Sequence, residues 1–203
     1  YSSGNGQGDL WLIKIDFYGN EEWNQTYGGS QEEVGRFIQQ TTDGGYIITG
    51  YTYSFGNGGS DVWLIKTDSQ GQEEWNQTFG GSGDDKGYSV KQTDDEGFII
   101  LGSQYDNGIN SGMLIKTDNQ GNQDWSKIIN VSVVDGNVGS TSGISFQKTN
   151  DNGYIIVGNG LVKTDSEGNE EWINNDLSGY SIGLTNDDGY IFCGYSQNSQ
   201  NNL

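Results

Sequence analysis

Asp61-Val62-Trp63-Leu64-Ile65-Lys66-Thr67-Asp68, followed by Gly71-Gln72-Glu73-Glu74-Trp75-Asn76-Gln77-Thr78-Phe79-Gly80-Gly81, restates almost residue for residue the stretch that begins at Asp9. Weaker copies occur twice more, marked by Lys14, Lys66, Lys116 and Lys163 and by Trp23, Trp75, Trp125 and Trp172. Both sets of markers are spaced by 52, 50 and 47 residues. Repeats of about 50 residues belong to propellers, solenoids and arrays.

Working outward from that stretch, the second copy divides into four short apolar or β-branched runs separated by turn residues. They are Gly35–Thr41, Tyr46–Tyr51, Val62–Thr67 and Glu74–Phe79, here strands a, b, c and d. The a to b turns read Asp43-Gly-Gly, Asp95-Glu-Gly, Asp151-Asn-Gly and Asp187-Asp-Gly, where glycine is expected to supply positive φ and Asp to bond its own backbone. The c to d turns read Asp16-Phe-Tyr-Gly, Asp68-Ser-Gln-Gly, Asp118-Asn-Gln-Gly and Asp165-Ser-Glu-Gly. Both predict hairpins, and no run of ten or more residues carries helical spacing.

Four-stranded antiparallel units in tandem are the blades of a β-propeller, each covering its neighbour's apolar faces. The chain opens with strands c and d alone, at 9–28, and closes with strands a and b alone, at 179–197. The expected fold is all-β: one propeller domain over 1–203, with blades at 34–81, 85–131 and 141–176. A fourth blade closes by pairing 179–197 with 9–28, which removes two open edges. Composition agrees: 34 glycines without proline fit tight turns, and 12 Tyr, seven Phe and six Trp can fill one core.

Three motifs resemble the propeller repeats of bacterial and archaeal surface proteins known as SBBP repeats and, more distantly, NHL repeats. They are Gly80-Gly-Ser-Gly-Asp-Asp-Lys-Gly-Tyr-Ser89, Gly45-Tyr-Ile-Ile-Thr-Gly-Tyr-Thr52 and the Leu-Ile-Lys-Thr-Asp before the c to d turn. The resemblance implies a secreted or cell-surface location and a non-enzymatic role. It carries no catalytic residue, and the family is usually seven-bladed. Tyr1 in place of Met, with no signal-peptide pattern after it, reads as the start of a mature or excised piece of something longer.

The net charge of −19, from 28 acidic and nine basic side chains, argues against a nucleic-acid partner. No 18-residue apolar stretch exists to insert in a membrane. With no histidine, the usual bases and zinc ligands are absent. The single cysteine, Cys193, aligns with Thr49, Leu101 and Val157 and is expected in the core. Nineteen of the 28 acids, including Glu21, Glu22, Glu73, Glu74, Asp124, Glu170 and Glu171, fall at the end bearing the a to b and c to d turns. No calcium-loop spacing occurs among them, so no cofactor is expected and calcium has no specific motif. The four repeat lysines lie near these acids on strand c, where cross-strand pairs worth little individually are expected.

Trp23, Trp75, Trp125 and Trp172 recur in every copy, as do Trp11, Trp63 and Met113, which marks them as packing between blades rather than sugar platforms. Asn24, Asn76 and Asn130 begin Asn-X-Ser/Thr acceptor patterns and are candidate glycosylation sites. At the opposite end the loops vary in length: 53–60 and 104–111 are long, Gly158-Asn159-Gly160 is minimal, and 131–142 is a long excursion. Variable loops on one face of a repeat scaffold are the usual place for binding. Tyr53, Phe55, Tyr105, Asp106 and Asn107 are therefore the candidate surface for a protein or glycan partner. The function expected is an extracellular binding or scaffold module acting in protein interaction or adhesion. A glycan-binding lectin is the alternative, and a glycoside hydrolase using Asp84-Asp85 or Glu32-Glu33 is the weakest reading.

Overall fold

The structure, a computed structural model, describes residues 6–131 and 145–194. Those residues form sixteen antiparallel strands and no helix. They divide into two compact units, Tyr1–Ile128 and Ile129–Leu203.

The first unit opens with a two-stranded sheet, β1 (Leu10–Ile15) and β2 (Glu21–Tyr27). A four-stranded sheet follows, of β3 (Glu33–Gln40), β4 (Tyr46–Thr52), β5 (Asp61–Thr67) and β6 (Glu73–Phe79). The next has the same order in β7 (Lys86–Gln92), β8 (Phe98–Asp106), β9 (Ile109–Thr117) and β10 (Gln123–Ile129). The second unit holds a third four-stranded sheet, β11 (Ser145–Lys148), β12 (Tyr154–Gly158), β13 (Gly160–Thr164) and β14 (Glu170–Asn174). Its last sheet has two strands, β15 (Ser181–Leu184) and β16 (Tyr190–Cys193).

Sequence alternation explains why the sheets of the first unit stack face to face. Val62 and Leu64 pack with Ile47, Val90, Phe98, Ile100, Met113 and Ile115, toward β7–β10. Trp63 and Ile65 point the other way, onto Leu10, Leu12, Tyr27 and Ile48, toward β1–β2. A strand covered on both faces reads as a continuous apolar run, as Val62–Ile65 does. The repeated tryptophans join neighbouring sheets: Trp23 meets Tyr46 and Trp75 meets Phe98, each with ring centroids 5.8 Å apart. The expected packing role holds for Trp63, which is 2% exposed. It does not hold for Trp11, 50% exposed, because nothing described in its unit covers the outer face of β1.

Three further expectations need correction. Cys193 is exposed, whereas Thr49, Leu101 and Val157 are fully buried, because β16 is the last strand of a two-stranded sheet. Lys66, Lys116 and Lys163 do form the expected cross-strand pairs, but as buried side chains, so the pairs are not of the low individual worth expected. Lys66 Nζ lies 2.8 Å from Asp43 and Glu74 and donates to the Thr67 carbonyl at 3.0 Å. Lys163 is held the same way by Asp151, Glu171 and the Thr164 carbonyl, and Lys116 by Asp95, Asp124 and the Thr117 carbonyl.

The glycine closing each a to b turn serves this lysine rather than the turn. Positive φ falls one residue earlier, on Gly44, Glu96, Asn152 and Asp188, so only one copy uses glycine for it. A Cβ on Gly45 would collide with the Thr67 carbonyl and stand 2.7 Å from Lys66 Nζ. Gly97 and Gly153 stand in the same relation to Lys116 and Lys163. In the c to d turns glycine does supply positive φ, at Gly19, Gly71, Gly121 and Gly168.

Substituting Gly97→Ala should cost about 1–3 kcal/mol, because the added methyl must displace strand backbone or the ammonium. Urea unfolding measures this; an unchanged midpoint would show that the lysine cradle tolerates a side chain.

Candidate functional site

The end of the first unit opposite the acidic turns is built around carboxylates that tie loops to strands. In the 53–60 loop, Asn57 N–H donates to Asp61 (2.8 Å) and Ser54 N–H to Glu33 (3.2 Å). Phe55 packs on Trp63 at 5.7 Å and Tyr53 stands edge-on to Tyr51 at 5.8 Å. The 80–85 loop bridges this segment to the next hairpin. Gly59 N–H donates to the Gly83 carbonyl (3.1 Å), Ser60 N–H to Asp84 (2.9 Å) and Tyr105 N–H to Asp85 (3.0 Å).

The stretch 104–111 is not the long loop its composition predicts. β8 and β9 run on to the pair Asp106–Ile109, and Asn107-Gly108 closes them with φ of 49° and 85°. Two consecutive positive φ values at Asn-Gly are the hairpin turn whose twist matches the strands. Its Asn-Gly signal was present in the sequence but was absorbed into a glycine-asparagine run. The candidate residues therefore gather at one end: Phe55 is 43% and Tyr105 46% exposed, Asp106 and Asn107 are exposed, and Tyr53 is half-buried. The 131–142 excursion lies, from 132 onward, outside the described residues.

The other end carries a feature that sequence reasoning passed over. Phe17 and Tyr18, on the first c to d turn, are 96% and 85% exposed and meet edge to face at 5.4 Å. The equivalent residues are Ser69-Gln70, Asn119-Gln120 and Ser166-Glu167, so this turn breaks the uniformity expected of the acidic end. Asn24 and Asn76 are exposed, and each accepts from the neighbouring indole, of Trp11 and Trp63, while donating to Glu21 and Glu73. Asn130 is exposed and bound to Glu170.

Adjacent acids separate by burial. Glu33 and Asp85 are buried, while their neighbours Glu32 and Asp84 are exposed. Each buried acid faces the aspartate that opens a strand c. A Cβ on Gly80 would collide with Asp61 Oδ1 and stand 2.5 Å from Asp85 Oδ2. One on Gly28 would collide with Asp9 Oδ1 and stand 2.6 Å from Glu33 Oε2. Asp9 Oδ1 is buried with no hydrogen-bond partner. Burial pushes Asp61 up, against the Asn57 N–H and with the charge of Asp85. Burial likewise pushes Asp85 up, against the Gly81 and Tyr105 N–H donors and with Asp84 and Asp106. Among the described residues no three acidic side chains converge as a metal site requires.

No known protein family matches the chain, and no curated protein matches it. The likeness to surface-protein propeller repeats thus rests on the quoted motifs alone.

The acids predict a bell-shaped stability profile. Lys66 hydrogen bonding, with Thr41, holds Asp43 at about 2. Asp95 is also held at about 2, its burial outweighed by Thr93 and Lys116. Their contribution is complete above the ordinary carboxylate value and is lost as pH falls toward 2. Asp61 and Asp85 have the opposite sign: ionising them costs stability, and the cost disappears as pH falls through their raised values. The melting temperature should therefore rise as pH falls through the raised values of Asp61 and Asp85, and drop at more acid pH as Asp43 and Asp95 take up protons. Asp61→Asn, which replaces repulsion of Asp85 with an amide donor, should stabilise by about 1 kcal/mol at neutral pH and flatten the rise. A destabilised Asp61→Asn protein with an unchanged profile would refute the pairing.

Proposed function

We propose that the chain is a four-bladed β-propeller closed by pairing of β16 with β1, and that it serves as an extracellular, non-enzymatic binding or scaffold module. Support for closure comes from residues kept where their partner is missing. Each complete sheet surrounds its lysine with an a to b turn aspartate and a strand d acid. In the first half-blade Lys14 has Glu22 but, among the described residues, no turn aspartate, and it is far more exposed than the others. In the last half-blade Asp187 and Gly189 stand ready in a turn that, among the described residues, has no lysine beside it, and they are bound to Thr185 and each other. Trp172 is exposed and no atom lies within 4 Å of a Cβ on Gly19, whereas Trp23 and Trp75 pack on Gly71 and Gly121.

The register follows from the complete sheets, where Thr49 pairs with Leu64, Leu101 with Leu114 and Val157 with Leu161. Transferred to the ends, it pairs Cys193 with Leu12 and brings Asp187 to Lys14. Leu12→Cys should then form a disulfide with the native Cys193 under mild oxidation, running as a compact monomer on a non-reducing gel. A chain that forms only intermolecular bridges, or none, would reject the closure.

The observation carrying the binding role is the asymmetry of the loops. The 53–60 loop, the 80–85 loop and the Asn107-Gly108 hairpin are tied into one surface bearing Phe55, Tyr105, Asp106 and Asn107. Half-exposed aromatics rimmed by polar groups are the usual anchors of a recognition surface. A lectin would use the same rings. A photo-crosslinking residue at Phe55 should capture the partner while one at Asn119, on an acidic-end turn, should not. Capture at Asn119 alone would move the working face to the acidic end. Saturable spots on a glycan array that vanish in Phe55→Ser would select the lectin.

A further inference from the structure

In the first unit a side chain joins the a to b turns of neighbouring sheets. Gln92, which precedes the turn after β7, accepts from the Thr42 N–H of the turn after β3 (2.9 Å) and donates to the Glu96 carbonyl of its own turn (3.4 Å). Its carboxamide thus fills the gap between the two turns. The residues at this position in the four copies are Gln40, Gln92, Lys148 and Leu184, so the last sheet has no polar group there.

The second unit shows what that change leaves. Between the turns at 149–153 and 185–189 lies a cleft of about 340 Å³, lined by Thr149, Asn150, Leu184, Asp188, Gly189 and Tyr190. Asn150 stands where Thr42 does, but its N–H has no partner among the described residues, because Leu184 has no acceptor to offer. The Asn150 side chain donates to Asp188 Oδ1 (2.6 Å) and ties the two turns together. Among the described residues, Asp188 Oδ2 and the Tyr190 hydroxyl have no hydrogen-bond partner, and no cation is paired with Asp188. Asp151 also borders the cleft, but Thr149, Gly153 and Lys163 take up its oxygens. The cleft therefore offers a backbone donor, a carboxylate oxygen and a hydroxyl beside the apolar bodies of Leu184 and Tyr190. The Tyr190 ring is steadied by Trp172, with centroids 6.3 Å apart.

We propose that this cleft binds one neutral sugar ring. A sugar oxygen takes the Asn150 N–H as the Gln92 carboxamide takes that of Thr42, a hydroxyl donates to Asp188 Oδ2, and the C–H face of the ring lies on Tyr190 and Leu184. A sugar ring carries donors, acceptors and an apolar face in one small body, which is the combination the lining presents. The volume is near the small end of the roughly 300–1,000 Å³ of small-molecule sites, room for a single ring. The bond to Asp188 is of the stronger, charge-assisted kind, and the same carboxylate disfavours an anionic ligand. All the lining residues belong to the second unit, so the proposal depends on neither the ring closure nor the loop surface.

Titration of the intact chain with the methyl glycosides of glucose, galactose, mannose and N-acetylglucosamine, and with sodium glucuronate, tests it. At least one neutral glycoside should saturate with a Kd of about 10 mM or tighter, and glucuronate should bind about tenfold or more weaker. Leu184→Gln restores the side chain that closes the gap in the first unit. It should weaken binding about tenfold or more without lowering the melting temperature. Asp188→Asn should also weaken it about tenfold, and the φ of 63° at this position suits Asn, so folding is retained if Leu184→Gln fails to fold. Phe55→Ser should leave the affinity unchanged. No saturation by any neutral glycoside, glucuronate as the tightest ligand, undiminished binding in either folded cleft variant, or loss of binding in Phe55→Ser would overturn the site.

Discussion

A buried ammonium on strand c organises each complete sheet. Lys66 is nearly inaccessible, and burial alone would lower its proton affinity. Hydrogen bonds and charge from Asp43 and Glu74 outweigh that effect and hold it above its ordinary value. Such a cation is tolerable only when its donors are matched, since a buried charge stripped of a partner costs about 3–5 kcal/mol. The donors go to three places at once: the a to b turn, strand c's own Thr67 carbonyl and the start of strand d. One side chain therefore fixes the relative positions of three of the four strands. It also dictates Gly45, whose lack of a side chain leaves the ammonium its space.

This interaction explains what the sequence showed and what it concealed. The period, the strands and both hairpin families were readable, because alternation and Asp-Gly punctuation are local signals. Strand limits in the second copy fell within about two residues of the observed ones, as boundary uncertainty allows. The lysine environment was not readable. Its environment joins a turn aspartate 23 residues earlier in the chain to an acid eight residues later, and a Lys near acids on an exposed strand would leave the same pattern. The closing glycine of the a to b turn was seen, but its reason was not, because turn chemistry offered a sufficient local explanation.

The candidate site was legible to a similar depth. Loop variability pointed to the end where Phe55 and Tyr105 stand exposed. The buried acid pairs that hold those loops were invisible, although Asp9 and Asp61 recur, and Glu33 and Asp85 occupy matching positions. Repetition of an acid reads equally as solvated turn chemistry or as an internal brace, and only burial separates them. Asp85 is the brace: its carboxylate accepts from Gly81 and Tyr105, joining the 80–85 loop to the β8–β9 hairpin. The exposed pair Phe17 and Tyr18 is concealed for the opposite reason: the four c to d turns share their Asp and Gly, and no local rule fixes the two residues between them.

The two-stranded sheets at the two ends of the chain pose a physical problem. Among the described residues β1 has one unpaired edge, beside a groove of about 680 Å³ lined by Trp11, Leu12, Val34, Arg36, Phe37 and Ile38. An exposed strand edge next to apolar side chains is a template for aggregation unless it is covered. That edge is lightly defended: Lys14 is its one charged side chain, the chain has no proline, and Trp11, Ile13 and Ile15 are exposed and apolar. At the far end Asp187 and Gly189 repeat the residues that flank the buried lysine in the complete sheets, and Ile191 is exposed on the last strand. Lightly defended edges with matching chemistry at both ends describe surfaces built for pairing rather than for solvent. In the proposed ring the pairing is intramolecular, so loop closure is offset once by the contacts of a full blade, and the entropic penalty grows only slowly with the length enclosed. The proposed binding face would draw on that rigidity, because loops present a defined surface only when the strands beneath them cannot slide.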